Sequence, residues 1–227
     1  MRIVRAKDYD DMSRKAAMIM AAQIAEKPDS ILGLATGSTP IGLYKCLIKW
    51  YEEGALDFSA IRTWNLDEYE GLPRTNDQSY YYFMHENLFD HVNLPEGATH
   101  VLNGMNPDAE AECAAYDKAI EEAGGIDIQL LGLGHDGHIA FNEPQDLTVI
   151  SSTVYRLSNE SLNRSPDCRY TVSIPSLLHI TGPFIFSSID SPNLYVKTRH
   201  LLIFTIASDT SKTAKTPSHP DSLAVLS

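Results

Sequence analysis

The sequence predicts an α/β fold, a mostly parallel sheet sandwiched between helices, and three observations carry that expectation. Short apolar runs alternate with helix-period segments from residue 1 to about 144. Titratable side chains gather just after several of those runs, where open α/β sheets place their chemistry. The length of 227 residues and the 43% hydrophobic content suit one domain with a large core.

The elements follow in order. Met1 to Ala6 reads as a first strand, too short and charged for a secretory signal. Asp8 to Glu26 is a helix with Met12, Ala16, Met20 and Ile24 on one stripe, Ser30 to Ala35 a strand, Pro40 to Glu53 a helix, and Thr63 to Leu66 a strand. Gln78 to Phe89 and Asp108 to Ala123 are helical, and Thr99 to Leu102 and Ile126 to Leu133 are apolar strand-like pieces. This is a Rossmann-like three-layer pattern, in which the helices' methionines and aromatics belong to the core.

After Pro144 the composition shifts. Residues 145–227 hold 24 Ser plus Thr, against 10 in residues 1–144, and carry a charge of about +1 against −13. Helix-forming runs almost vanish. The expectation is one domain over 1–227 with an atypical region from about 145: Pro183 to Thr198 an insertion loop, and His200 to Ile206 a buried strand.

Bulk properties exclude several function classes. A net charge of −12 and a pI near 5.0 oppose nonspecific binding to nucleic acid or anionic lipid. No apolar run approaches the roughly 20 residues of a membrane span. Cys46, Cys113 and Cys168 are dispersed without CxxC spacing, which argues against a disulfide framework or a zinc cluster and suits a reducing cytoplasm.

Three segments carry the chemistry. Gly134-His135-Asp136-Gly137-His138-Ile139-Ala140-Phe141-Asn142-Glu143-Pro144 packs two histidines, an aspartate and a glutamate into eleven residues after the Ile126 to Leu133 run. Leu32-Gly33-Leu34-Ala35-Thr36-Gly37-Ser38-Thr39-Pro40 is a strand, a Gly-Ser-Thr turn and a helix start with Pro40 in its first turn, where free N–H groups and the positive end of the helix dipole meet an anion. Read without a ligand, Ser38 or Thr39 is a helix cap. Thr63-Trp64-Asn65-Leu66-Asp67-Glu68-Tyr69 ends in two adjacent carboxylates and is followed by Ser79-Tyr80. Its plain alternative is that Asp67 and Glu68 open a loop or cap the helix near Gln78.

Together the three resemble the glucosamine-6-phosphate deaminase family, sugar-phosphate aldose-ketose isomerases that also release ammonia. The resemblance implies catalytic roles for Asp67, Asp136, His138 and Glu143: Asp67 moves the C2 proton, while His138, oriented by Asp136 and Glu143, serves ring opening. It implies a phosphate site at Thr36, Gly37, Ser38 and Thr39, completed by Arg169 (or Arg164) and Lys212 (or Lys215), whose spacing departs from the family pattern. No metal or organic cofactor is implied. Thr153 and Tyr155 stand where regulated members carry basic residues, so allosteric activation is not supported. The implied partner is a small-molecule substrate, glucosamine 6-phosphate, with a homo-oligomer plausible by resemblance. Two alternatives share the architecture: a 6-phosphogluconolactonase, and a catalytically impaired sugar-phosphate-binding relative.

Overall fold

The computed structural model describes residue 4, residues 6–132 and the backbone of four later strands, 153–156, 170–173, 184–187 and 201–203. The chain opens on helix α1 (Tyr9–Glu26), capped by Asp8, whose carboxylate accepts from the Asp11 amide. Strand β1 (Ile31–Leu34), helix α2 (Ile41–Glu52), strand β2 (Arg62–Asn65), the short strand β3 (Asp67–Tyr69) and helix α3 (Tyr80–Asn87) follow. Then come β4 (Thr99–His100), helix α4 (Ala109–Glu122), β5 (Ile128–Gly132), β6 (Thr153–Arg156), β7 (Tyr170–Ser173), β8 (Phe184–Ser187) and β9 (Leu201–Ile203).

Six strands form one sheet in the order β4-β2-β1-β5-β8-β9, every pairing parallel. The chain winds outward from β1 through β2 to β4, then returns to β5 on the other side of β1 and proceeds to β8 and β9. The topology therefore reverses between β1 and β5, and a crevice opens beyond the carboxyl ends of strands at such a point.

Alternation along the strands divides the core in two. Leu32 and Leu34 face α1, α2 and α3, where Met12, Met20, Tyr44, Leu47 and Met84 are buried. Ile31 and Trp64 face the opposite way, against Cys113, Tyr116 and Ile120 of α4. Helices on both faces make the three layers expected from the sequence. On the first face α1 and α2 approach so closely at Gly42 that a Cβ there would collide with the side chains of Ser13 and Tyr9. No described helix is long and apolar enough to cross a membrane.

The structure corrects the sequence reading in two places. Pro183 to Thr198 is not simply an insertion loop: Phe184–Ser187 is β8, an internal strand pairing with both β5 and β9. A four-residue Phe-Ile-Phe-Ser run carries too little pattern to separate a buried parallel strand from an apolar loop. A second, antiparallel sheet of order β3-β7-β6 was also not expected, with Asp67 opposite Ser173 and Tyr69 opposite Thr171. The expected first strand falls largely outside the described residues, while Val4 and Ala6 pack on the core of the first face.

Candidate active site

Because β1, β2 and β5 are parallel neighbours, their carboxyl ends open on one edge of the sheet. The loop Thr36–Thr39 leaves β1 there, the Asp67–Tyr69 corner leaves β2, and β5 delivers the chain to the segment beginning at Gly134.

The loop after β1 is held from outside. The Tyr9 hydroxyl of α1 lies 3.1 Å from the carbonyls of both Ser38 and Thr39 and accepts from the Gly42 amide at 2.8 Å. Pro40, not a serine or threonine, occupies the N-cap position of α2 and makes no side-chain cap bond. The ligand-free alternative for Ser38 and Thr39 therefore fails, and Pro40 stands one position before the first turn. Gly37 adopts φ +96°, a left-handed conformation in which glycine alone is unstrained, and a Cβ there would meet nothing within 4 Å. Gly37 and Ser38 are exposed and Thr36 and Thr39 half-buried, which leaves the loop open to an anion.

The corner after β2 is closed. Asp67 is 6% exposed and Glu68 1%. Successive side chains of a strand point to opposite faces, and the two acids divide accordingly. Glu68 turns to α3: its Oε1 accepts from the Tyr80 amide at 2.9 Å and from the Tyr69 amide at 2.9 Å, and its Oε2 accepts from the Ser79 hydroxyl at 2.9 Å and the Tyr81 amide at 3.0 Å. The helix-cap alternative thus holds for Glu68. It does not hold for Asp67, whose carboxylate accepts no hydrogen bond from any described residue. Burial, reinforced by the adjacent Glu68 charge, pushes the Asp67 carboxyl up to about 8.

A phenol stands between the two loops. The Tyr80 hydroxyl lies 3.3 Å from that of Tyr69, and burial, together with the Asp67 charge, raises its proton affinity, while the nearby Thr36 side chain opposes that rise. Thr36, Tyr69, Tyr80 and Asp67 are thereby brought to one place. The sequence reading placed Tyr80 in a motif but gave neither tyrosine a role. Two aromatics eleven residues apart, one on a strand and one on a helix, carry no periodic signal that would pair them. Asp136, His138, Glu143, Arg169 and Lys212, with the alternatives Arg164 and Lys215, lie outside the described residues.

Residues 6–181 match the model of the family described as glucosamine-6-phosphate isomerases/6-phosphogluconolactonase. The chain belongs to this family. Among its relatives, the glucosamine-6-phosphate deaminase of Lachnoclostridium phytofermentans is 50% identical over 188 residues, 78% of this chain and 80% of the relative. That of Clostridium botulinum (strain Loch Maree) is 56% identical over 192 residues, 79% of this chain and 78% of the relative. The chain spans 65% of the length of the Clostridioides difficile relative, at 53% identity. Among solved structures, a monomeric glucosamine-6-phosphate deaminase superposes with a TM-score of 0.78 at 34% identity, over 82% of this chain and 81% of the other. The 6-phosphogluconolactonase of Thermotoga maritima, at 24% identity and a TM-score of 0.63 over 81% of each chain, shares the fold.

Proposed function

We propose that this chain converts glucosamine 6-phosphate to fructose 6-phosphate and ammonia, with Asp67 as the base. The observation that carries the proposal is a buried carboxylate of raised proton affinity at the same sheet edge as an open loop, with Tyr80 influenced by both, in a family member whose relatives at 50–56% identity are glucosamine-6-phosphate deaminases.

The substrate phosphate rests on Thr36, Gly37, Ser38 and Thr39, with Arg169 and Lys212 supplying positive charge. A chain of net charge −12 gives an anionic substrate no long-range attraction, so this grip must be local. His138, with Asp136 and Glu143 holding its orientation and charge, moves the ring-oxygen proton as the pyranose opens. Asp67 then takes the C2 proton and delivers it to C1. The intermediate enolamine becomes an imine, and water releases ammonia and leaves the ketone. Burial suits Asp67 to this task, because a carboxylate near its ordinary 3.8 is too weak a base for a carbon-bound proton. Dispersed thiols, Cys113 buried and Cys46 part-buried, both free, support a reducing cytoplasmic setting.

The test is direct: folded protein mixed with glucosamine 6-phosphate releases ammonia and forms fructose 6-phosphate, and Asp67→Asn abolishes both while keeping the fold. No ammonia from folded wild-type protein would refute the proposal. Hydrolysis of 6-phosphogluconolactone that survives Asp67→Asn would instead assign the lactonase reaction, which needs no C2 base.

A further inference from the structure

Glu68 is buried more completely than Asp67, yet the proposed reaction gives it nothing to do. We infer that Glu68 is a positioning residue for Asp67: by clasping the first turn of α3 it fixes the strand that carries the base, and it places a second carboxyl group directly beside that base.

The geometry favours a carboxylate over any other group at this position. Four donors converge on its two oxygens, from Ser79, Tyr80, Tyr81 and Tyr69, all at 2.9 to 3.0 Å. A glutamine would turn an amide N–H toward at least one of them. Three of the four donors belong to the N-terminus of α3, whose N-cap, Ser79, also accepts from the Tyr82 amide. The fourth belongs to β3 itself. One side chain therefore ties the strand to the helix, while alternation directs Asp67 and Tyr69 to the other face, where Tyr80 meets Tyr69 with ring centroids 5.0 Å apart. Gly104 closes the strand from behind: a Cβ there would strike the Tyr69 carbonyl, and the Gly104 carbonyl accepts from the Gly71 amide at 2.7 Å.

Electrostatics adds a second action. Burial pushes the Glu68 carboxyl above its ordinary range, and the donors from Tyr80, Tyr81, Tyr69 and Ser79 oppose that shift only in part. Its charge in turn raises the proton affinity of Asp67, after burial the next cause. Among the described residues, the other ionisable groups set near the pair are phenols: Tyr69 on β3, Tyr80 on α3 and Tyr116 on α4. Glu68 is thus the charged group among the described residues with the most direct hold on the base.

The inference rests on Asp67 being the base, and kinetics of the full chain on glucosamine 6-phosphate across pH can separate the two claims. Glu68→Gln is expected to lower kcat at least about tenfold with KM within about threefold, because aim is lost and binding is not. It should also move the acid limb of the kcat profile to lower pH by about half a unit or more. Glu68→Asp keeps the charge on a shorter stem, so its acid limb should stay at the wild-type position while kcat still falls. A Glu68→Gln variant with wild-type kcat and acid limb and only a lower Tm would make Glu68 a helix cap and nothing more. Should that variant fail to fold, Glu68→Asp decides: a wild-type kcat overturns the inference, and a tenfold loss at constant KM supports it. Activity persisting in Asp67→Asn would overturn the assignment of the base instead, a separate result.

Discussion

The loops that follow β1 and β2 leave the same edge of the same sheet, and the fold treats them in opposite ways. Thr36–Thr39 stays open, uncapped by its own residues and held by a tyrosine from α1. Asp67–Tyr69 is drawn into a second sheet, its acids buried and one of them bonded to the next helix. The difference fits the roles proposed for the two loops. A phosphate gripped by backbone donors keeps its charge, so a loop that binds one can stay wet. A base for a carbon-bound proton has to be stronger than an ordinary carboxylate, and removing a carboxylate from water is how a protein makes one.

The sharpest way to break this contrast is to remove the base. Asp67→Asn should lower kcat by about 10³-fold or more, at the upper end of what general-base catalysis supplies, with KM little changed. Steady-state ammonia release measures it, and a loss below tenfold would make the closed corner structural.

Overfilling the support of the open loop comes next. Gly42→Ala should destabilise the fold by about 1–3 kcal/mol in urea melts, because the new methyl must displace Ser13 Cβ (2.8 Å from the ideal Cβ) and Tyr9 Cε1 (2.9 Å), the latter in the ring that holds the loop. An unchanged midpoint would show that α1 and α2 can separate freely.

The closed corner should also carry a stability cost. Asp67 has a folded-state value near 8 against an ordinary 3.8, so the folded state binds this proton more tightly than the unfolded chain does. Its contribution to stability is greatest below about 4, is lost as pH rises toward 8, and is constant above that. Asp67→Asn should therefore raise stability at neutral pH, by up to about 4 kcal/mol, while abolishing turnover, and the gain should vanish in acid. Equal stability of both proteins across pH would contradict a buried, perturbed carboxyl. With Asp67 as the proposed base, wild-type kcat is expected to fall as pH drops below about 8, since only the ionised form accepts a proton.

The smallest effect belongs to Tyr9→Phe. Losing one hydroxyl that touches Ser38, Thr39 and Gly42 should cost about 1 kcal/mol and raise KM several-fold with kcat preserved, since the phosphate loop loosens while the base does not move. A fall in kcat without a change in KM would mean that the two loops do not work separately.

Much of the fold was legible in the chain because its signals are local. The helices Tyr9–Glu26, Ile41–Glu52 and Ala109–Glu122 each lie within one or two residues of the expected spans, two of them capped by the aspartate at which the reading began them. Strands β1, β2 and β5 fall inside the expected runs to within a residue, and residue type and place single out Asp67 and Thr36–Thr39 as the candidates proposed for the chemistry. β8 was missed because its four residues become a strand only against β5 and β9, and β3 because its partner, β7, lies about a hundred residues away.

What the sequence determined by itself was the alternation of elements and the kinds of side chain at their ends, since propensity, capping and periodicity act within a few residues of chain. Which of two adjacent acids would serve as cap and which would be left unsolvated, and that a tyrosine from α3 would meet Tyr69 while one from α1 held Ser38 and Thr39, only the tertiary structure decided. Burial and long-range hydrogen bonds are properties of packing, and packing brings together residues that the chain keeps apart.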